Sequence, residues 1–169
     1  PYFLVRPKDL AFDGTHPTLL YGYGGFEMPM VPGYSGGLGR AWLDKGGVYV
    51  VANIRGGGEY GPRWHQAATK ANKQKSYDDF AAVAEDLIAR KITSPRHLGI
   101  QGGSNGGLLV GAVMVQRPEL FNAVVCQVPL LDTHSRYSTS AVIGSCRSLQ
   151  VAGGELVGRA HFADDPDVQ

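Results

Sequence analysis

The stretch Gly99-Ile-Gln-Gly-Gly-Ser104-Asn-Gly-Gly107, followed directly by Leu108-Leu-Val-Gly-Ala-Val113, decides the fold. A short apolar strand, a serine flanked by glycines and an apolar helix form a strand-turn-helix that holds a hydroxyl out on a tight turn, the geometry of a nucleophile elbow. The turn forces strained backbone angles on Ser104. Gly102 and Gly106, two residues to either side, must lack side chains for strand and helix to approach each other. Ser104 is therefore the candidate nucleophile, and the N–H of Asn105, directly after it, is placed to meet a developing oxyanion.

Rival readings of glycine-rich segments fail on their surroundings. A flexible linker is rich in glycine and serine but lacks the apolar segments on both sides. A phosphate loop of the Walker type needs a lysine after its last glycine, and none follows. Gly56-Gly-Gly-Glu-Tyr-Gly61 satisfies G-x-G-x-x-G after a strand, yet Pro62 closes it. The acidic pair Asp78-Asp79 opens a helix, whereas a dinucleotide site needs its acid at the end of a second strand.

Around the elbow, apolar runs alternate with helical patterns, the signature of βαβ units. Strands are predicted at the amino terminus between Pro1 and Pro7, over 18–23, 48–54, 97–101 and 123–128. A short helix is expected within 35–45, ended by Gly46-Gly47. From Ser76 to Arg90, Phe80, Val83, Ala84, Leu87 and Ile88 make one helical face, with Asp78 and Asp79 near its start and Arg90 and Lys91 at its end. Pro118 ends the helix after the elbow or limits its last turn. The sum is an α/β chain with a mostly parallel sheet and helices on both faces. Residues 133–162 carry no period that assigns an element.

The 169 residues are 43% hydrophobic and 18% charged, enough apolar matter for the core of one domain or part of one. A net charge of +1 without a basic block gives no reason to expect a nucleic-acid or membrane partner. Cys126 lies in an apolar run and reads as a buried thiol, and two unrelated cysteines point to a reducing compartment. His and Cys are scattered without ligand spacing, so neither a metal nor another cofactor is expected.

Several separated motifs converge. Tyr21-Gly-Tyr-Gly-Gly-Phe26, Ala52-Asn-Ile-Arg-Gly-Gly-Gly-Glu-Tyr-Gly61, Ala71-Asn-Lys-Gln74 with Tyr77-Asp-Asp-Phe80, the elbow itself and Gln116-Arg-Pro-Glu-Leu-Phe121 resemble, in order and spacing, the catalytic domain of the prolyl oligopeptidases. The resemblance runs from about residue 1 to Asp132. Asn after the nucleophile resembles the prolyl oligopeptidase branch. It implies an α/β-hydrolase fold whose carboxyl-terminal part lies outside this chain, a serine peptidase cutting short peptides after proline, and a β-propeller upstream that limits access. It implies a cytoplasmic or periplasmic location.

The resemblance also assigns residues. The hydroxyl of Tyr23, at the end of the strand entering the glycine-rich loop, is the second oxyanion donor. Phe26 matches a position lining the proline pocket, and Leu130 falls where a further apolar wall is expected; a proline ring asks for such apolar and aromatic walls. Arg55 and Glu59 receive no role. The order Ser, acid, His places the acid and base after Ser104, and the family's lie further on than Gln169, so the chain alone is expected to be inactive. Within the tail, Asp132 and His161 are the alternative partners. His134 is too close to Asp132, and His16 and His65 read as surface or packing residues. The stretch 138–162 lacks the tryptophan that the resemblance implies; the tryptophans are Trp42 and Trp64. An esterase using the same elbow and a non-catalytic remnant of the fold are the competing readings.

Overall fold

A computed structural model describes residues 1–130 and, beyond them, the backbone of two short strands. The elements are β1 (Tyr2–Val5), β2 (Thr18–Tyr21), α1 (Gly36–Ala41), β3 (Val48–Ala52), α2 (Pro62–Gln66), α3 (Gln74–Ala89), β4 (Leu98–Gly103), α4 (Asn105–Gln116), β5 (Ala123–Gln127), β6 (Gln150–Ala152) and β7 (Glu155–Val157). Strands β1 to β5 form one sheet in the order β1-β3-β2-β4-β5, and β6 pairs with β7 in a separate antiparallel ladder.

The three inner pairings, all parallel, explain the α/β pattern of the sequence. β3, β2, β4 and β5 are parallel neighbours, and only β1 runs antiparallel, with Tyr2 opposite Ala52 and Val5 opposite Tyr49. Parallel strands cannot be joined by tight turns, so α1, α3 and α4 serve as crossovers. Leu20, Val48, Val50, Leu98 and Ile100 are buried from one face, against Phe80, Ala84 and Leu87 of α3 and Leu109, Val110 and Val113 of α4. Each large side chain there contributes about 1.5–3 kcal/mol by leaving water. The opposite face carries half-buried Tyr21, Tyr49 and Gln101, which share an open cleft of about 490 Å³ with Leu38 and Ala41 of α1.

Local chemistry sets the boundaries. Ser35 caps α1 by accepting from the N–H of Leu38, and Gly46, at φ 82°, ends the single turn Leu43–Lys45 that follows. α4 stops at Gln116 because Arg117 precedes Pro118, whose ring drives the preceding residue out of helical angles. α3 begins two residues before the predicted Ser76. Asp78 and Asp79 therefore lie beyond its first turn, contrary to the dipole expectation, and Arg90 is its cap rather than part of the last turn. α2 and the β6–β7 pair were not legible in the sequence. Cys126 is buried as expected, its Sγ–H donating to the carbonyl of Gly107 at 3.3 Å.

Candidate active site

Ser104 stands between β4 and α4 at φ 56°, ψ −116°, angles that an L-residue rarely adopts. The strain is held from outside. Its N–H donates to the carbonyl of Gln127 on β5 at 2.9 Å, and its own carbonyl accepts from Leu108 at 3.1 Å, starting the helix. A side chain on Gly102 would collide with the carbonyl of Gly106, and one on Gly106 would come within 2.5 Å of the Gly22 oxygen. Strand, helix and the segment after β2 thus close around the serine as its flanking glycines require. The Ser104 hydroxyl makes no cap hydrogen bond to α4, so it is not committed to holding the turn.

The N–H of Asn105 lies in the first turn of α4, where a helix supplies no acceptor of its own. An oxyanion beside Ser104 would fill that vacancy. The Asn105 side chain does more than shape the turn: it is 5% exposed, and its Nδ2–H donates to the carbonyl of Tyr23 at 2.6 Å. That bond joins the elbow to the loop after β2. A side chain on Gly25 would overlap the same amide.

Tyr23 is half-buried in that loop. Its neighbour Tyr21 has its hydroxyl pushed above the ordinary tyrosine value, first by burial and then by the nearby Tyr23 hydroxyl. Phe26, three residues on, is 66% exposed at φ 53°, and Glu27 follows at φ 56°. Two successive bulky residues in left-handed angles cost free energy, so the structure around them must hold them there. Leu130 is partly buried at the end of the described segment.

The glycine-rich segment after β3 supports this loop and has no phosphate-loop architecture. Gly56, at φ 101°, lies so close to the Gly24 carbonyl that a Cβ would strike it, and a Cβ on Gly58 would strike the carbonyl of Glu27. The N–H of Glu27 donates to the Gly56 carbonyl at 3.3 Å, and the Glu59 carboxylate accepts from the N–H of Met30 at 2.9 Å. Lys73, just ahead of α3, donates from Nζ to the Gly24 carbonyl at 2.6 Å; burial lowers its pKa. Ser76 donates to the Arg55 carbonyl at 2.7 Å. Lys73 and Ser76 are supporting residues that sequence reasoning missed. Lys73 sits inside a quoted motif, but nothing in its neighbours announces a partner nearly fifty positions away.

Arg55 and Glu59, given no role from the sequence, both hold loops in place. The three described histidines are also occupied. His65 Nδ1 is 2.7 Å from the Gly56 carbonyl, His16 Nε2 is 2.8 Å from the Ala11 carbonyl, and His97 Nδ1 is 3.0 Å from Ser94 Oγ. His65 Nδ1 also lies 3.2 Å from the backbone N of Glu27, so both His16 and His65 spend a ring nitrogen on the surrounding backbone and are packing residues. Trp42 and Trp64 spend their indole N–H groups on the carbonyls of Val48 and Ile54. Among the described residues no histidine bonds Ser104. Asp132, His134 and His161, and the departure at 138–162 except for the strand backbone, lie outside the described residues.

The profile of the prolyl oligopeptidase family matches residues 36–152. An uncharacterized peptidase of Sinorhizobium fredii is 67% identical over 132 residues, covering 78% of this chain and 18% of its own length. The prolyl endopeptidase of Elizabethkingia meningoseptica is 45% identical, with 78% of this chain and 19% of the relative covered. Among solved structures, a post-proline cleaving enzyme from Rickettsia typhi superposes with a TM-score of 0.77 at 56% identity, over 78% of this chain and 19% of that one. The chain thus spans about a fifth of the length of the relatives it matches. The α/β-hydrolase elbow, the loop it grips and these similarities agree: the chain belongs to the prolyl oligopeptidase family.

Proposed function

We propose that the chain is the nucleophile-bearing part of a longer serine peptidase that cleaves short peptides on the carboxyl side of proline. Ser104 Oγ attacks the scissile carbonyl while a base from outside the described residues takes its proton, since a neutral hydroxyl is a poor nucleophile. The carbonyl oxygen becomes an oxyanion facing the Asn105 N–H and the Tyr23 hydroxyl. Collapse of that adduct breaks the C–N bond, the amine leaves with the proton, and water hydrolyses the acyl ester on Ser104.

Phe26 carries the proline reading. An aromatic ring 66% exposed on a strained backbone, three residues from Tyr23, gains nothing for the core and gives an apolar substrate ring a surface to pack on. Leu130 supplies a second apolar wall. An upstream β-propeller is the proposed partner domain, restricting substrates to short peptides, in a cytoplasmic or periplasmic enzyme. Among the described residues no helix is long and apolar enough to cross a membrane.

Substrate preference tests this. The full-length gene product should release p-nitroaniline from a blocked Gly-Pro p-nitroanilide far faster than from the Gly-Ala and Gly-Arg analogues, and Phe26→Ala should raise KM for the proline substrate selectively. Equal rates on all three, or hydrolysis of aryl esters alone, would contradict the proposal.

A further inference from the structure

Tyr23 and the residue after it present two consecutive carbonyl oxygens, and each is taken by a side chain from a different element. Asn105 Nδ2, at the start of α4, donates to the Tyr23 oxygen at 2.6 Å. Lys73 Nζ, ahead of α3, donates to the Gly24 oxygen at 2.6 Å. These two carbonyls belong to the peptide units on either side of the Gly24 Cα. Peptide units are rigid planes, so the chain can pivot between them only about the two soft dihedrals of Gly24.

Gly24 is the residue where a pivot would be easiest. It has no Cβ and sits at φ +63°, in a region that glycine reaches without penalty. Left alone, rotation there would displace the neighbouring Tyr23 backbone and the hydroxyl it carries. With both flanking planes held, the rotation is blocked. The arrangement is also costly to keep: the Lys73 ammonium is partly desolvated and forms no ion pair among the described residues, while the Asn105 amide is almost fully buried. Buried polar groups stay stable only when bonded, so each bond is worth more here than on the surface.

We propose that Asn105 and Lys73 are positioning residues for the oxyanion site, locking the Gly24 pivot so that the Tyr23 hydroxyl is held against the position of the oxyanion. Asn105 then has two functions. Its backbone N–H is itself a donor, and its side chain sets the distance to the other donor. This inference rests on the role of Tyr23 proposed above.

A double-mutant cycle in the full-length gene product tests it, using steady-state hydrolysis of the Gly-Pro p-nitroanilide. Asn105→Ala and Lys73→Met should each lower kcat by about 10- to 100-fold with KM little changed, because a donor misplaced by a fraction of an ångström binds the ground state normally and the transition state poorly. In a Tyr23→Phe background, where no hydroxyl remains to position, the same substitutions should cost less than threefold. Asn105→Leu, close in volume and uncharged but without a donor toward the carbonyl, should behave as Asn105→Ala; it and Lys73→Met keep the test available should the alanine variant not fold. Losses that multiply with that of Tyr23→Phe, a rise in KM at constant kcat, or no loss at all would overturn the positioning role. If Tyr23→Phe itself turns over at the normal rate, the oxyanion role of Tyr23 fails, and the positioning role with it.

Discussion

Asp79 on α3 holds Arg55 at three points: Oδ2 accepts from Nε at 2.8 Å and from the backbone N–H at 3.0 Å, and Oδ1 accepts from Nη2 at 2.6 Å. The two side chains are 32% and 22% exposed, so water screens the pair only in part. The hydrogen bonds that the guanidinium donates to Asp79 keep it above its ordinary pKa. The fork fastens the start of the glycine-rich segment to the helix that also carries Ser76. Asp79→Asn should destabilise the full-length gene product by about 1–3 kcal/mol, read as a lower denaturant midpoint at constant m-value. An unchanged midpoint would mean the fork is dispensable.

Glycines of the elbow strand should respond to alanine in opposite ways. A Cβ on Gly102 would run into the backbone of Gly106, which cannot move without dismantling the elbow, whereas one on Gly99 meets the Ala123 Cβ at an ordinary 3.6 Å. Gly102→Ala should therefore yield insoluble or inactive protein. Gly99→Ala should be neutral or stabilising by up to about 1 kcal/mol, because it removes freedom from the unfolded chain. Soluble, active Gly102→Ala protein would show that the elbow tolerates a side chain there.

Much of this was legible in the sequence because the determinants are local. The elbow is written in consecutive residues, and the buried face of α3, with Phe80, Val83, Ala84 and Leu87, follows from helical spacing alone. The supports of Tyr23 were not legible. The bonds from Asn105, Lys73 and Ser76 span more than twenty positions each, and a donor has no sequence signal for a partner that only the fold brings near. The run Gly56-Gly-Gly58 misleads for a related reason. Close packing against the Gly24 and Glu27 carbonyls demands glycine as firmly as a phosphate does. β1 shows the limit of pattern reading: its apolar residues announce a strand, but its antiparallel direction is set by pairing with β3.

Alkaline stability should report the partly buried tyrosines. Burial raises the pKa of Tyr2, Tyr21, Tyr49 and Tyr77 above the ordinary tyrosine value. The folded state therefore keeps protons that the unfolded state has lost above about pH 10, so the stabilisation is complete below that pH and is lost as the pH rises through the folded values. Lys73 works in the opposite sense, its lowered value favouring the folded state as the pH approaches that of free lysine. With four tyrosines against one lysine, the melting temperature of the full-length gene product should fall above about pH 10, and Tyr49→Phe should make the fall shallower. A melting temperature that is flat or rising there would reverse the assignment.

The central claim is that Ser104 is the nucleophile, and active-site labelling tests it most directly. The full-length gene product, treated with a fluorophosphonate, should gain a single adduct that peptide mass spectrometry places on Ser104. Prior incubation with a proline-containing peptide should slow the labelling, and Ser104→Ala should abolish both the adduct and cleavage of the proline peptide, a loss on the order of 10⁶ in turnover. An adduct on another residue, or undiminished cleavage by the Ser104→Ala protein, would contradict the account.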